Sequence, residues 1–493
     1  MSSTSMKPAV PAKHGGDGTS IVALMVALMA AIFAFQLNAS MLSPALTTMA
    51  NQLRSDDAQI GLTQTVFFTA CAVFSLFLPR LGDLAGRKKV LIGMLALTGI
   101  GCCISALAVN VPMLMVGRVI QGVAGPVVPM TLLMLHERVT DDARYARLMA
   151  ILTAVNGGIG GVDALLGGWL AGHFGFRSIF WVMAGVALLA IILVWIFANE
   201  SHAEETPKMD WLGVVLLSAA FLSIYLAIDQ IQKLAGANWW LVAVELIAGA
   251  ALFIGFWQVE NHKKNPMVAT KYLKQRRTWG LLLTTLLTMT GVFAIMNGIV
   301  PALAQDTQFG AGISTDTVSL FTLTPYALVG LAFGPVAGVL ASKRGYRFVL
   351  RAGLVVSAIA MVFGVFVCHG PAIWNLIVLS VVLGVSYAGT ANIMLNGLGI
   401  VLSPEDNPGY LPGLNAGAFN LGSGLSYAIL YGLQKAFTSS GGATSGYMAS
   451  MVGGIILLAL ALACSFLIPK PQQEQRGSDR RGTRLFRIRR PAP

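Results

Sequence analysis

The chain has 493 residues, of which 56% are hydrophobic and only 11% are charged. Its mean hydropathy is +0.72. A chain of this length and composition has too little polar surface to cover a water-soluble globule, so most of it is predicted to be surrounded by lipid. The formal net charge of +12 is spread over short loops and a C-terminal tail, which favours contact with anionic lipid and argues against a nucleic-acid partner. The composition therefore predicts an all-α membrane protein that crosses the bilayer many times.

Apolar stretches long enough to cross roughly 30 Å of hydrocarbon as a helix follow one another along the whole chain. The first begins after a polar tail, is too long for a signal peptide and lacks a cleavage context, so it is interpreted as a retained span. We predict fourteen spans, at 21–49, 59–79, 90–110, 112–135, 146–172, 178–198, 211–230, 239–259, 279–304, 317–341, 346–368, 373–402, 410–435 and 447–468.

Basic residues set the orientation of these spans, because Lys and Arg concentrate in short cytoplasmic loops. If both termini are cytoplasmic, 28 of the 33 basic residues fall in inner loops and tails. The protein is therefore predicted to lie in the cytoplasmic (inner) membrane with both termini inside. The histidines and cysteines show no metal-ligand spacing, so neither a metal site nor a catalytic site is predicted.

Two segments indicate an internal duplication. The stretch LGDLAGRKKVLIGM around Gly86 matches LASKRGYRFVLRAG around Gly345 at an offset of 259, and NGGIG at Asn156 matches NLGSG at Asn420 at an offset of 264. The duplication predicts two six-helix bundles with two extra central spans between them. The predicted parts are a tail 1–19, an N-terminal bundle 20–201, an insert with a cytoplasmic linker 202–277, a C-terminal bundle 278–469 and a basic tail 470–493.

Two motifs resemble those of the major facilitator superfamily, and more narrowly its fourteen-span drug:proton antiporter branch. PRLGDLAGRKK, at 79–89, resembles the gating motif between the second and third spans, although Pro79 and Leu84 depart from it. RVIQGVAG, at 118–125, resembles the fourth-span motif of the same family. The resemblance implies the major facilitator fold and gating roles for Asp83, Gly86, Arg87 and Lys88. The alternative for this loop is a plain positive-inside connection.

Two departures from the family pattern concern acidic residues. Asn38 stands where the first span usually carries a carboxylate, and Asp163 stands in VNGGIGGVDALLGG where the fifth span usually has Gly-Pro. A proton-coupled carrier needs a group that gains and loses a proton as the cavity opens to either side. We therefore predict that Asp163 has taken over the coupling role, with Arg118 at a similar depth switching between it and water or substrate. The alternatives are a static buried pair, an aspartate that holds two helices together, and an Arg118 that snorkels to the interface.

Uncharged polar residues within the spans predict a substrate cavity for a ligand with neutral polar groups. For any one of them, helix packing is the alternative role. The cavity residues are predicted to be Gln36, Asn38, Gln64, Gln121, Asn156, Asn297, Tyr326, Tyr387, Asn392 and Asn420, and the same set extends to Thr324, Asn396 and Asn415.

The sequence therefore predicts a secondary active transporter that works by alternating access. Its partners are predicted to be a small-molecule substrate, protons and lipid; a monomer is expected, and no cofactor beyond the proton gradient, because no ATP-binding loop is found. The resemblance implies efflux of an amphipathic or drug-like molecule, as in multidrug resistance. Proton-coupled efflux is therefore the first expectation. The altered fifth-span motif adds weight to the alternative, proton-coupled or facilitated uptake of a small metabolite. A membrane receptor or membrane enzyme is the alternative from another class.

Overall fold

A computed structural model describes residues 20–139, 141, 144–145, 147–149, 151–152, 161–201, 209–263, 270–404 and 410–470. Within this part of the chain, twelve helices are long and apolar enough to cross a membrane. The architecture is all-helical, as the composition predicted.

The N-terminal half is a bundle of helices joined by short turns. Asp56 and Asn110 begin two of these helices, because their side chains accept hydrogen bonds from the N–H groups of Gln59 (2.8 Å) and Met113 (2.9 Å). Its helices are α1 (Ile21–Ser40), α2 (Leu46–Leu53), α3 (Asp57–Ala85), α4 (Arg87–Ala106), α5 (Val111–Gln121), α6 (Val127–Arg138), α7 (Val162–Phe174) and α8 (Phe176–Phe197).

The insert consists of α9 (Trp211–Ile231) and α10 (Trp239–His262), which pack along each other as a hairpin. The C-terminal half contains two π-helical segments, Ile295–Ile299 and Gly384–Ala391. Its α-helices, after the short α11 (Thr270–Leu273), are α12 (Arg276–Ala294), α13 (Val300–Gln305), α14 (Val318–Phe321), α15 (Leu323–Arg344), α16 (Tyr346–Val367), α17 (Ile373–Leu383), α18 (Asn392–Val401) and α19 (Tyr410–Ser465).

The twelve long helices of the described residues differ from the fourteen predicted spans at two places. The 56 residues of α19 cover the last two predicted spans, and Gly442 interrupts the helix between them with φ 84°. The fifth predicted span, 146–172, includes residues 153–160, which lie outside the described residues together with Asn156. The count of fourteen therefore stays a prediction.

Two ends of the bundle are distinguished by charge. The turns at Gly86 (φ 109°) and Gly345 (φ 89°) require glycine because other residues rarely adopt a positive φ. Arg87, Lys88 and Arg344 flank these turns, and we call this end the basic face. The segment 306–317 lies at the other end, which we call the opposite face.

The insert hairpin packs against both halves. Leu217 of α9 and Phe256 of α10 form a small apolar cluster with Leu76 of α3 and Leu414 of α19. Only 28% of the most apolar stretch of α9 and 17% of that of α10 are buried. The hairpin therefore lies at the outside of the bundle, beside the line along which α3 meets α19.

Asp210 fastens the basic end of this hairpin. Its carboxylate accepts a hydrogen bond from the Gly213 N–H (2.8 Å) and pairs with Lys263 at the end of α10. Burial acts to raise the pKa of Asp210, but the hydrogen bonds from Lys263 and Gly213 outweigh it and hold this pKa below its ordinary value.

Candidate functional site: a polar seam between the two halves

Arg118 lies at the centre of a neutral polar cluster in the N-terminal half. Its side chain is completely buried. The guanidinium donates to the backbone carbonyl of Asn38 (3.2 and 3.3 Å), to Gln64 Oε1 (2.8 Å) and to Gln121 Oε1 (2.6 Å). It also stacks on the ring of Phe67, with Cζ 3.9 Å from the ring centroid. Hydrogen bonds and ring contact together compensate for burying the charge.

In this conformation Arg118 neither reaches a membrane interface nor pairs directly with Asp163. The buried guanidinium does not reach an interface, and the ion pairs formed among the described residues do not include Arg118. The side chain of Asn38 turns away from Arg118, because Nδ2 donates to the Ala34 carbonyl (2.8 Å). Only the backbone of Asn38 contacts the guanidinium.

Asp163 is also buried, with 3% of its surface exposed. It lies in the first turn of α7. One carboxylate oxygen accepts a short hydrogen bond from the Ser40 hydroxyl at the end of α1, and the other has no hydrogen-bond partner among the described residues. Gln36 Nε2 in turn donates to Ser40 Oγ (3.1 Å). The acid thus ends a short chain of polar groups that leads along α1 to the half-buried Gln36.

The two charged residues are linked through α1. Arg118 binds the carbonyl of Asn38, and Asp163 binds the hydroxyl of Ser40, two positions further along the same helix. Both charged side chains therefore contact the same helix, without a direct contact between them. This arrangement was not evident from the sequence, which indicated only that the two residues have similar depths.

The backbone around Asp163 binds the C-terminal half. The Ser319 hydroxyl donates to the Ala164 carbonyl (2.9 Å), and the Thr324 hydroxyl donates to the Gly161 carbonyl (3.0 Å). These bonds join α7 to the start of α15 and to α14 before it. Asp163 therefore lies at the polar contact between the two halves, which we call the seam. The two hydroxyl-to-carbonyl bonds bind the backbone on either side of it in the chain.

Other contacts extend the seam toward the opposite face. The Thr65 hydroxyl of α3 donates to the Gly424 carbonyl of α19 (2.9 Å). Lys435 pairs with Asp56 (3.0 Å) at the opposite face itself. These hydrogen bonds and this ion pair between the two halves lie in the middle of the bundle and at the opposite face. The conformation is therefore closed on that side.

A polar and aromatic cluster lies at the π-helical segment of the first C-terminal helix. Asn297 Oδ1 accepts a bond from Ser43 (3.4 Å), and the Asn297 carbonyl accepts one from the Tyr427 hydroxyl (3.0 Å). Tyr427 stacks on Tyr431, with ring centroids 5.9 Å apart. Because π-helical turns leave backbone groups unmatched and often occur at functional sites, this segment is a candidate for movement between conformations.

The second π-helical segment carries Tyr387. Its ring stacks on that of Tyr326 in α15, with centroids 6.4 Å apart and planes at 13°. The Tyr387 hydroxyl contacts the sulfur of Met289 (2.7 Å). Asn392 follows at the start of α18, where it is half-buried and bonded to Asn396. The structure thus stacks Tyr326 on Tyr387, whereas Asn392 lies further along the same span and bonds to Asn396.

The remaining predicted cavity residues have different environments. Gln121 Nε2 donates to Ser105 (3.0 Å), so this side chain is held within the N-terminal half. Asn415 is buried and joins α12 to α19, accepting from Thr285 (2.7 Å). Asn420 is half-buried. Gln121 and Asn415 therefore make contacts between helices in this conformation, and a role in the substrate cavity stays a prediction for both.

The loop at 79–89, for which the sequence predicts a gating role, forms an ion-pair network at the basic face. Arg87 pairs with Asp83 (2.8 Å) and with Glu137 at the end of α6 (2.7 Å). The Lys88 N–H donates to Glu200 (2.9 Å), which caps the start of α4 beside Gly86. Sequence reasoning missed Glu137 and Glu200; the signal available for both was an acidic residue within a basic-face connection.

No group of three His, Cys, Asp or Glu residues that could hold a metal ion occurs in the described ranges. The site therefore consists of one buried acid, one buried base and neutral hydrogen-bonding groups along a seam between two helical halves. Such an arrangement can bind a polar solute and change conformation around it. The fold and the seam together define a membrane transport protein.

Comparisons with known proteins agree with this class. A family model described as Major Facilitator Superfamily matches residues 28–426 and 281–492. A uridine/deoxyuridine transporter of Lactococcus lactis subsp. cremoris is 60% identical over 465 residues, covering 93% of this chain and 97% of that protein. The methyl viologen resistance protein SmvA of Salmonella typhimurium is 24% identical over 426 residues, covering 86% of this chain and 83% of that protein. The chain belongs to the Major Facilitator Superfamily.

Solved structures share the fold. The crystal structure of a mutant of the nucleoside transporter NupG matches with a TM-score of 0.61 and 14% identity, covering 90% of this chain and 99% of that one. At this identity the likeness concerns the fold alone. The protein is thus a multi-pass secondary transporter of small molecules, and nothing in these relatives indicates catalysis.

Proposed function

We propose that this protein takes up nucleosides, with uridine and deoxyuridine as substrates, by alternating access coupled to protons. The observation that carries the proposal is the 60% identity, over 93% of the chain, to a uridine/deoxyuridine transporter. This relative favours the alternative stated from the sequence, uptake of a small metabolite, over the first expectation of drug efflux by an antiporter. The methyl viologen resistance protein SmvA is only 24% identical.

The chemistry of the seam supports a neutral polar substrate. A nucleoside has no charge at neutral pH and carries hydroxyl, carbonyl and N–H groups beside an aromatic ring. The side chains gathered in the C-terminal half are of matching kinds: the rings of Tyr326 and Tyr387, and the amides of Asn392 and Asn396. A cationic drug would instead bind best beside a carboxylate, and none of these four side chains carries one.

Asp163 is the proton-carrying group in this proposal. Its burial, its single hydrogen bond from Ser40 and its position between two seam bonds support the assignment. Taking up a proton removes a buried negative charge at the point where the halves touch, so protonation and opening of the seam are energetically linked. Arg118 transmits this change through α1 rather than by a permanent pair with the acid.

The proposed arrangement in the membrane is that expected from the sequence. The chain has fourteen spans and acts as a monomer in the cytoplasmic membrane, with the basic face and both termini toward the cytoplasm. The opposite face is then external, and the conformation described here is closed to the outside. The Asp83–Arg87–Glu137 network serves as the gate on the cytoplasmic side.

Uptake by purified protein in proteoliposomes tests the proposal. We expect labelled uridine to accumulate under an inward proton gradient, and excess unlabelled deoxyuridine to abolish the signal. Methyl viologen in the same excess should leave uptake unchanged, and protein-free liposomes provide the baseline. The proposal is overturned if uridine is neither accumulated nor exchanged against internal unlabelled uridine.

A further inference from the structure

The two turns that the internal duplication relates at the basic face differ in their acidic partners. In the N-terminal half, Arg87 pairs with Asp83 (2.8 Å), and the Lys88 N–H donates to the Glu200 carboxylate (2.9 Å). At the offset of 259 that relates the two turns, Ser342 stands in the place of Asp83. The turn of the C-terminal half therefore lacks an acid that its counterpart uses as a counter-ion.

Four basic residues flank the C-terminal turn, and we call Lys343, Arg344, Arg347 and Arg351 the basic cluster. The sequence contains no Asp or Glu from 317 to 404, and the ion pairs formed among the described residues include none of these four side chains. Arg347 Nε is buried without a hydrogen-bond partner in the part of the chain that the structure describes. The charges of Arg347 and Arg351 also repel each other. A bound anion relieves such repulsion and supplies the missing acceptor.

The basic cluster lies at the end of an apolar stripe on the outside of the bundle. Four side chains of α16 recur at helical spacing and are exposed, namely Phe348, Val355, Ile359 and Val362. In a chain that crosses a membrane, exposed apolar side chains of a spanning helix contact lipid acyl chains. The stripe begins in the first turn of α16, beside the basic cluster. The cluster is therefore placed where acyl chains meet lipid headgroups.

Two guanidinium groups of the basic cluster lie over exposed aromatic rings. Cζ of Arg344 is 5.5 Å from the ring centroid of Phe348, and Cζ of Arg351 is 4.0 Å from that of Phe466. Phe348 is 49% exposed and Phe466 is 58% exposed. Arg351 also donates to the hydroxyl and the carbonyl of Ser465 at the end of α19 (3.2 and 3.1 Å). Both cations thus lie at the outer surface of the bundle, where basic side chains cover apolar groups and reach a charged surface.

We propose that Arg344, Arg347 and Arg351 bind the phosphate of an anionic phospholipid headgroup, whose acyl chains lie along the apolar stripe of α16. Guanidinium groups suit this ligand, because each can donate two parallel hydrogen bonds to phosphate oxygens. Clusters of basic residues at a membrane surface attract anionic lipids. The lipid takes the place of the carboxylates that serve the N-terminal turn, and it ties the start of α16 to the ends of α15 and α19. The site is separate from the proposed uptake of nucleosides and does not depend on it.

Titration with single lipids tests the site, through the Tm of protein that has been purified in detergent and depleted of lipid. We expect phosphatidylglycerol to stabilise the native protein at a concentration at least about fivefold lower than phosphatidylcholine requires, because only phosphatidylglycerol carries a net negative charge. In Arg347→Gln, the concentration of phosphatidylglycerol that gives half of the Tm shift should rise about fivefold. Arg347→Lys keeps the charge but loses the paired donors, so its response should lie between those two.

The matched control is Lys274→Gln, which removes one positive charge from an exposed residue in the linker before α12. Its response to phosphatidylglycerol should stay within about twofold of native. Equal stabilisation of the native protein by both lipids would overturn the site, and so would an equal loss of response in Arg347→Gln and Lys274→Gln. If inorganic phosphate alone reproduces the Tm shift, the cluster binds a soluble anion and the lipid assignment is wrong.

Discussion

At the scale of single residues, the two buried charges are stabilised in different ways. Arg118 has three neutral hydrogen-bond acceptors and an aromatic ring, so its charge is well compensated in one conformation. Asp163 has one hydroxyl donor and an oxygen without a described partner. A buried carboxylate with so few donors is poorly stabilised as an anion, which makes it the member of the two that is suited to gaining and losing a proton.

Replacing Asp163 by Asn tests this assignment, because the amide keeps the size of the side chain but cannot ionise. We expect accumulation of uridine driven by a proton gradient to be lost in Asp163→Asn, while exchange of labelled for unlabelled uridine continues at a rate within about tenfold of native. Asp229→Asn in the insert hairpin makes the same chemical change away from the seam and should leave driven uptake intact. If Asp163→Asn still accumulates uridine against its gradient, Asp163 is a static packing group.

At the scale of helices, the insert hairpin shows how one capping residue fixes two helix ends against each other. The N-cap bond from Gly213 and the pairing with Lys263 let Asp210 fix the start of α9 against the end of α10. A hairpin with so little of its surface buried has few other contacts that hold its basic end in place.

Asp210 variants separate the cap from the ion pair. Asp210→Asn keeps a capping oxygen, whereas Asp210→Ala loses both interactions and should cost on the order of 1–2 kcal/mol, with the Asn variant nearer to native. Because the pKa of Asp210 is lowered in the folded protein, its ionic contribution is present above the ordinary aspartate pKa and is lost as the pH falls through the lowered one. The difference in Tm between native and Asp210→Asn protein in detergent should therefore stay constant from pH 7 to about pH 5 and shrink as the pH falls further. A pH-independent difference would contradict the ionic contribution.

At the scale of the whole molecule, the seam decides which side is open. Hydroxyl-to-carbonyl bonds from Ser319 and Thr324 close the halves around Asp163. Hydrogen bonds between membrane helices contribute about 0.6 kcal/mol each on average. A few such bonds suffice to bias two conformations that differ by a few kcal/mol, yet they are weak enough to break during transport.

The double variant Ser319→Ala, Thr324→Val removes two of these bonds while keeping the side chains near their native sizes. We expect the population open at the opposite face to rise roughly five- to tenfold. Distances between spin labels at Asn51 and Thr438, which are exposed at that face in different halves, would report the change. Thr288→Val removes a hydroxyl that bonds only within its own helix (2.7 Å to the Thr284 carbonyl) and should not shift the distances. An unchanged distribution in the double variant would show that other contacts hold the seam.

The sequence by itself determined the helical membrane architecture and the position of the basic loops, and it drew attention to Asp163 as an acid within an apolar stretch. These features are local: hydropathy within about 20 residues, charge in loops and the rarity of an acid in an apolar stretch all act over one helix. The same reasoning identified Tyr326 and Tyr387 as polar groups within spans, but it did not predict that their rings stack on each other.

Only the tertiary structure decided which groups surround the two charges. Ser40 and Asp163 are 123 residues apart, and Thr324 and Gly161 are 163 apart. No local pattern encodes such contacts, because they depend on how helices from both halves rotate and pack against one another. The sequence predicted that Arg118 switches between Asp163 and water or substrate, and that switching stays a prediction. In this conformation α1 contacts both side chains and each charge has its own set of partners.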